Sequence, residues 1–261
     1  PNIAVGQGLL RPSDLPSAVA QTASSTPDIT STSQAMAHLP WLPSCRWPGT
    51  VPLVRCHTVT SSTVANCGSV GPVSLVTSWS ESMGLRAPIV NAPMGGAAGG
   101  RLASAVTAAG GLGMIGMGSA ATPEALRAEL ALVDGRVGIG LVHWVMAERP
   151  ALLDIALAAR PALLSVSFGT DWAWVHQAHD AGVAVTTQVS SIEAARRAAD
   201  AGVDVLVARG AEGGGHGEPL GGTLPLLPGV LDAVDVPVLS AGGIGSARGV
   251  AAVLAAGASA A

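Results

Sequence analysis

The chain has 261 residues, of which 49% are hydrophobic and only 11% are charged, and its formal net charge is −4. This charge disfavours a nucleic-acid-binding surface, which needs a basic stripe, and no apolar run reaches the roughly 18 residues of a membrane span. We therefore expect neither a nucleic-acid nor a membrane partner. No secretory leader is recognisable, so a cytoplasmic protein is expected.

Residues 1–84 differ in composition from the rest of the chain. They are rich in Ser and Thr, contain repeated prolines that interrupt any helix, and show no hydrophobic period. Cys45, Cys56 and Cys67 are evenly spaced, but no C-x-x-C pair is present, so no metal site is predicted. The composition predicts a disordered or irregular Ser/Thr/Pro-rich segment, which we interpret as non-native upstream sequence rather than as a domain.

From residue 85 onward, short apolar runs alternate with amphipathic stretches, several of which end in Ala-Gly. The glycine supplies the left-handed residue that ends a helix. The runs have the length and continuous apolar character of buried parallel strands. They are residues 89–92, 112–115, 137–141, 162–167, 183–188, 203–208 and 237–240. The alternation predicts an α/β fold, either a (β/α)8 TIM barrel or a doubly wound sheet.

The length of this region bears on the choice of fold. Residues 85–261 are fewer than the roughly 250 residues of a usual TIM barrel. The chain also stops within an apolar stretch of small residues. We therefore expect a C-terminally incomplete barrel, truncated after strand seven, with its eighth β/α unit beyond Ala261.

In parallel α/β folds, functional residues gather where the strands end. Residues 91–96 (N-A-P-M-G-G) follow the first predicted strand, and their glycines allow a flat ligand to approach the backbone, although an ordinary tight turn explains them equally well. Residues 111–116 match G-x-G-x-x-G. These glycines fall inside an apolar run rather than between a strand and a helix, so a dinucleotide site is not predicted.

The most informative strand end is residues 207–217, where an apolar run leads into three glycines and then His216. Glycines expose backbone N–H groups that can bind an anion or the edge of a flavin. An imidazole titrates near neutral pH and can donate or accept a proton. A lone histidine is usually a surface residue, but this position favours a functional one.

A fourth strand end, residues 240–245 (S-A-G-G-I-G), leads into a helix predicted near Ser246. Glycines before a helix N-terminus form a ready phosphate site. His176 and His179 lie three residues apart on another predicted helix, where a solvated face is favoured over a metal site. We therefore predict a phosphate-binding loop and no metal ion.

Five segments of the ordered region resemble the nitronate monooxygenase (2-nitropropane dioxygenase) family and occur in the family's order. They are residues 92–96, 109–116, 210–217, 223–228 and 237–244. The resemblance implies that residues 85–261 form an FMN-binding TIM-barrel domain. The glycine–histidine segment together with the last segment is its most specific part.

The resemblance also implies a role for individual residues. Ala92 and Met94 would contact the isoalloxazine ring through their backbone, and Gln188 would lie near the flavin. Gly214 and Gly215 would pass close to the cofactor, and His216 would be the catalytic imidazole. The FMN phosphate would be bound by the backbone N–H groups of Gly242 and Gly243.

Two departures from the family pattern stand out. Many members carry Asn near the end of strand three, where residues 138–141 read G-I-G-L. This change removes an expected hydrogen bond to the flavin. The family's second phosphate-binding segment, a Gly-Thr pair after strand eight, would lie beyond Ala261.

The resemblance implies a flavin-dependent monooxygenase that oxidises alkyl nitronates with O2 to carbonyl compounds and nitrite. His216 would stabilise the anionic nitro group, or act as the base when a neutral nitroalkane is used. One alternative keeps the barrel but reduces enoyl thioesters or quinones with NAD(P)H and FMN. A second alternative is a non-catalytic fragment.

Overall fold

The computed structural model describes residues 75–217 and 220–261, which all lie in one compact unit, Cys67–Ala261. Most of the segment predicted to have low order, residues 1–74, therefore lies outside the described residues. The described structure already includes a short helix at Ser78–Ser82, upstream of the predicted boundary at residue 85. The helix forms because Thr77 and Ser80 make a reciprocal capping box at its start.

The core of the fold is a six-stranded, entirely parallel sheet in which the strands follow one another in chain order. Nearly every strand residue is buried, as expected for a parallel sheet covered on both faces. The strands are β1 Met114–Gly116, β2 Gly138–Val142, β3 Leu164–Ser167, β4 Val185–Val189, β5 Val205–Arg209 and β6 Val238–Ala241. The parallel α/β class predicted from the sequence is confirmed.

Short helices precede, connect and follow the strands. They are α1 Ser78–Ser82, α2 Gly100–Ala108, α3 Pro123–Leu130, α4 His143–Glu148, α5 Ala151–Ala158, α6 Ala173–Asp180, α7 Ile192–Asp200, α8 Thr223–Leu231 and α9 Ala247–Ala255. The predicted Ala-Gly stops are confirmed, with positive φ at Gly110, Gly182, Gly202 and Gly257. Among the described residues, no helix has the length and apolar character needed to cross a membrane.

Two apolar layers cover the two faces of the sheet. The larger one contains residues of both strands and helices, such as Ile139, Leu152 and Val175, so it lies between the sheet and the helices. The smaller one joins Met114 of β1 to Leu239 of β6, at opposite edges of the sheet. The sheet must therefore curve around this smaller layer, which fills its concave face.

The two edges of the sheet are connected by extended segments outside the six strands. Val90 forms a parallel bridge with Leu112, next to β1, and Ala260 forms one with Leu239 of β6. Val90 N donates to the Ala261 carbonyl at 2.8 Å, and Ala261 N donates to the Pro88 carbonyl at 3.0 Å. The expected end of the sheet after its seventh strand is therefore not confirmed, because residues 258–261 continue the pairing.

We expect the substitution Trp79→Ala to destabilise the fold strongly. Trp79 on α1 is only 7% exposed and packs in the smaller layer. Its removal leaves a large cavity, so the free energy of unfolding should fall by about 3–5 kcal/mol. Urea unfolding measures this change, and Leu75→Ala, at a 54% exposed position, is the control that should change it by less than about 0.5 kcal/mol. A small effect of Trp79→Ala would place the start of the core after residue 84.

Candidate active site

Asn91 fixes the first loop at the carboxyl end of the sheet. Its Oδ1 accepts a hydrogen bond from Met114 N at 2.8 Å, and its Nδ2 donates to the carbonyls of Met114 and Ala92 at 3.0 Å each. One side chain thus ties the loop that follows Val90 to β1. The sequence places Asn91 in the loop but does not predict this role.

The backbone of the same loop is largely engaged in a turn. Met94 N donates to the Ala92 carbonyl at 2.9 Å, and the Met94 carbonyl accepts from Ala97 N and Ala98 N. The Met94 side chain is 49% exposed. The Met94 thioether and the loop surface are therefore more accessible to a flavin ring than the Met94 amide. The predicted backbone contacts of Ala92 and Met94 with the flavin stay predictions.

Two glycines of the sheet make room for Pro93. A Cβ atom on Gly116 would overlap the backbone of Pro93 and Met94, and one on Gly140 would overlap the Pro93 ring. This close packing accounts for the glycine at position 140, because any side chain there would displace Pro93. Position 140 therefore cannot supply the side-chain hydrogen bond that the resemblance implies for residues 138–141.

His216 lies in an aromatic cluster with Trp144 and Phe168. Its ring centroid is 5.3 Å from that of Trp144 in an edge-on arrangement and 5.8 Å from that of Phe168, and the two aromatic rings are 5.7 Å apart. Trp144 lies in the first turn of α4, after β2, and Phe168 directly follows β3. Three different strand ends therefore meet around the imidazole.

The backbone of Phe168 is adapted to this position. Phe168 has a φ of +69°, which costs a residue with a side chain about 1 kcal/mol or more. At the next residue, a Cβ atom on Gly169 would overlap the ring of His143. The imidazole of His143 thus packs beside the cluster. The sequence feature that could have indicated this is the position of His143 immediately after β2.

Arg209 holds the glycine loop that carries His216. It ends β5 and shares a strand face with Val205 and Val207 of the smaller apolar layer, so its side chain points toward the concave side. Its Nη2 donates to the carbonyls of Gly213 and Gly214 at 2.5 and 2.8 Å. Among the described residues, no carboxylate forms an ion pair with this half-buried guanidinium.

Glu212 ties the same loop to the start of α8. Its carboxylate accepts hydrogen bonds from the backbone N and the Oγ1 of Thr223, both at 2.9 Å. The Thr223 hydroxyl also lies 2.9 Å from the Gly242 carbonyl. The hydrogen bond from the Glu212 backbone, followed by those from the Thr223 side chain and backbone, lowers the pKa of the Glu212 carboxyl below its ordinary value.

We expect this interaction to make stability depend on pH in the acid range. A carboxyl with a lowered pKa stabilises the folded state above its unfolded pKa of about 4.3, and this stabilisation is lost as the pH falls through the lower folded pKa. Glu212→Gln should therefore have a lower urea midpoint than the parent chain at pH 7, and the difference should shrink as the pH falls below about 4. A difference that stays constant over this range would contradict the assigned charge interaction.

Gly242 and Gly243 have φ values of +116° and +68°, a backbone conformation suited to glycine. Their N–H groups donate to no carbonyl among the described residues, and α9 begins a few residues later, capped by Ser246. Free N–H groups before a helix N-terminus suit an anion. The loop therefore fits the predicted phosphate, although the Glu212 carboxylate lies nearby.

Gln188 presents a buried acceptor without a partner. Its Oε1 is inaccessible to solvent and forms no hydrogen bond with the described residues. Gln188 shares a strand face with Ala184, which packs against the smaller apolar layer, so it points toward the concave side near the end of β4. An unsatisfied buried acceptor costs about 1–3 kcal/mol, and the N–H of a flavin ring would satisfy it.

The two helical histidines are kept apart from these loops. His179 Nε2 lies 3.0 Å from Asp204 Oδ2, while His176 is exposed on α6. Within the described ranges, no group of three or more His, Cys, Asp or Glu side chains is arranged to hold a metal ion. Asp204 is therefore the polar partner of His179 in the described structure.

Comparison with known proteins gives consistent matches. Residues 141–261 match the family model described as nitronate monooxygenase. A dehydrogenase from Rhodococcus jostii that acts on a hydroxy-methyl-oxo-octahydroindene-carboxyl-CoA is 34% identical over 188 residues, covering 71% of this chain and 53% of that protein. A nitronate monooxygenase from Neurospora crassa is 32% identical over 214 residues, covering 65% of this chain and 57% of that protein.

Solved structures support the same relationship. FabK from Thermotoga maritima aligns with a TM-score of 0.65 and 31% identity over 71% of this chain and 60% of that one. Nitroalkane oxidase from Streptomyces ansochromogenes aligns with a TM-score of 0.61 and 29% identity over 69% of this chain and 66% of that one. The chain spans about half the length of the first curated relatives it matches.

The chain thus shares its parallel α/β fold with FabK and nitroalkane oxidase, and its sequence relatives are named as a dehydrogenase and as nitronate monooxygenases. Within that comparison, residues 141–261 carry a match to the nitronate monooxygenase family, the family that the motifs predicted.

Proposed function

We propose that this domain binds FMN at the carboxyl ends of its strands and oxidises alkyl nitronates with O2 to carbonyl compounds and nitrite. The observation that carries the proposal is the placement of His216 against Trp144 and Phe168, where three strand ends meet. An imidazole held by aromatic rings has an apolar environment on one side and solvent on the other. Such a position suits binding of a small anion with an alkyl tail.

The chain's own residues fit a flavin mononucleotide at two points. The free Oε1 of Gln188 would accept a hydrogen bond from the ring system, and the N–H groups of Gly242 and Gly243 would bind the single phosphate. Gly214 and Gly215 have open space where a Cβ would lie, so a ligand can approach their backbone closely. When bound, the flavin supplies the electron transfer that amino-acid side chains cannot perform.

His216 has two tasks in this proposal. An alkyl nitronate is already an anion, so a protonated imidazole can hold its nitro group by a charge-assisted hydrogen bond. With a neutral nitroalkane, the unprotonated ring can instead take the proton from the carbon atom next to the nitro group. The rings of Trp144 and Phe168 lie beside the imidazole and would orient it for both interactions.

A second candidate function is NAD(P)H-dependent reduction of an enoyl thioester or a quinone on the same fold. The observation that favours it is the 34% identity to the Rhodococcus jostii dehydrogenase, whose name gives an acyl-CoA as its substrate. Exposed Leu220, just before α8, and exposed Leu224, in its first turn, would offer an apolar surface to such a substrate. In this case His216 would donate a hydrogen bond to the thioester or quinone carbonyl.

An absorbance experiment separates these functions. We expect the full chain, after incubation with FMN and gel filtration, to retain a flavin spectrum that is bleached anaerobically by an alkyl nitronate but not by NADH or NADPH. Bleaching by a nicotinamide alone would favour the second candidate. Failure to retain any flavin would support the non-catalytic alternative and contradict both.

A further inference from the structure

Thr223 occupies a meeting point of three segments that are distant in sequence. It is 4% exposed and is the first residue of α8. A Cβ atom on Gly210, in the loop after β5, would overlap its backbone N and Oγ1, and one on Gly242, in the loop after β6, would overlap its Oγ1. Both loops thus pass within contact distance of one hydroxyl group.

Hydrogen bonds join the same three segments. The Glu212 carboxylate accepts from Thr223 N and Oγ1, and the hydroxyl lies 2.9 Å from both Glu212 Oε2 and the Gly242 carbonyl. Gly210 N donates to the Ala241 carbonyl at 2.9 Å, which adds a direct link between the two loops. The loop that carries His216 and the glycine pair of the proposed phosphate site therefore share one set of contacts.

The loop between this meeting point and His216 cannot fix its own conformation. Residues 213–215 and 217 are glycines, and Gly215 and Gly217 have φ values of +84° and +127°. Glycine has the largest backbone freedom of any residue, so the position of the imidazole depends on anchors outside the glycines. Arg209 provides one anchor through the carbonyls of Gly213 and Gly214.

We propose that Glu212 and Thr223 form the second anchor and act as positioning residues, which hold His216 against Trp144 and Phe168 and couple its loop to Gly242 and Gly243. Glu212 and Thr223 do not themselves reach the aromatic cluster. They act through the three glycines between Glu212 and His216. The effect of Glu212 and Thr223 on catalysis rests on the proposed function, whereas their effect on the position of His216 does not.

The direct test is the NMR signal of the His216 ring in the flavin-free full chain. The chain has six histidines, so their ring Cε1–H signals can be resolved, and the His216 signal is assigned by its absence in His216→Gln. Ring currents from Trp144 and Phe168 should displace this signal from its value in an unstructured peptide. The displacement measures the position of His216 without any substrate or cofactor.

We expect Glu212→Ala and Thr223→Val to lose at least half of this displacement, whereas Thr223→Ser, which keeps the hydroxyl, retains it. Glu129→Ala is the matched control, because Glu129 also accepts a hydrogen bond at a helix start, from Gly100 N at 2.7 Å. It should leave the His216 signal unchanged. The ring signal of His179, whose position depends on the contact with Asp204, reports whether each variant keeps its fold.

A second readout tests the coupling to the glycine pair. In Glu212→Ala and Thr223→Val, FMN should bind at least fivefold more weakly, with little change in Thr223→Ser and Glu129→Ala. An unmoved His216 signal in both test variants would overturn the proposal, and so would loss of the His179 signal in both, which would show a general structural role. If the parent chain does not oxidise nitronates, the proposed function fails, but the NMR comparison still decides this inference.

Discussion

Replacing His216 with alanine should lower kcat/KM for an alkyl nitronate by at least about 100-fold, the usual contribution of a positioned acid–base group. The imidazole is held within 6 Å of both Trp144 and Phe168, measured between ring centroids. Alanine removes the hydrogen-bonding nitrogen atoms but leaves the two aromatic rings in place. The loss should therefore come from the chemical step more than from substrate binding, which appears as a fall in kcat.

Steady-state kinetics on the FMN-loaded chain measures this effect. His176→Ala is the matched control, since it removes an exposed imidazole on α6, and its kcat should stay at the parent value. The flavin spectrum of His216→Ala should be retained, because the proposed phosphate contacts come from the other loop. Unchanged turnover of the nitronate in His216→Ala would contradict the assigned role.

The second large effect is expected from Gly242→Ala. Gly242 has a φ of +116°, which residues with a side chain rarely adopt, and a Cβ atom there would overlap Thr223 Oγ1. Relieving this overlap must shift the loop whose N–H groups face the proposed phosphate site. With a strain of about 1–3 kcal/mol, the affinity for FMN should fall about 10- to 100-fold.

Quenching of flavin fluorescence on binding gives the dissociation constant. Gly245→Ala is the control in the same loop, because no atom lies within 4 Å of the added Cβ and its φ is not positive. This control should bind FMN as the parent chain does. Equal affinity in Gly242→Ala and the parent would mean that the phosphate lies elsewhere.

The sheet was largely predictable because local signals agree with the fold. Buried apolar runs and Ala-Gly helix stops located each of the six strands within a few residues. The predicted first strand, residues 89–92, shortens to a single bridge at Val90 because Pro88 and Pro93 flank it and cannot donate to a ladder. Residues 258–261 (A-S-A-A) have low strand propensity, so only their position between two strand edges reveals their pairing.

The candidate site was predictable in its loops but not in its contacts. Glycine patterns marked the histidine loop and the loop after β6, since glycine runs at strand ends are local features of sequence. The partners of His216 come from α4 and from the end of β3, and no local pattern links Trp144 or Phe168 to residue 216. The contact between Glu212 and Thr223 is likewise made only when the intervening loop folds back.

The hydrogen bonds that join Ala261 to Val90 and to Pro88 have a kinetic consequence. They join backbone groups at opposite ends of the described region, whereas the pairings within the sheet connect strands that follow each other along the chain. Contacts between residues so far apart in sequence carry the largest loop-closure entropy and form slowly. We infer that neighbouring strands pair early in folding and that the seam between residues 88–90 and 259–261 is completed last.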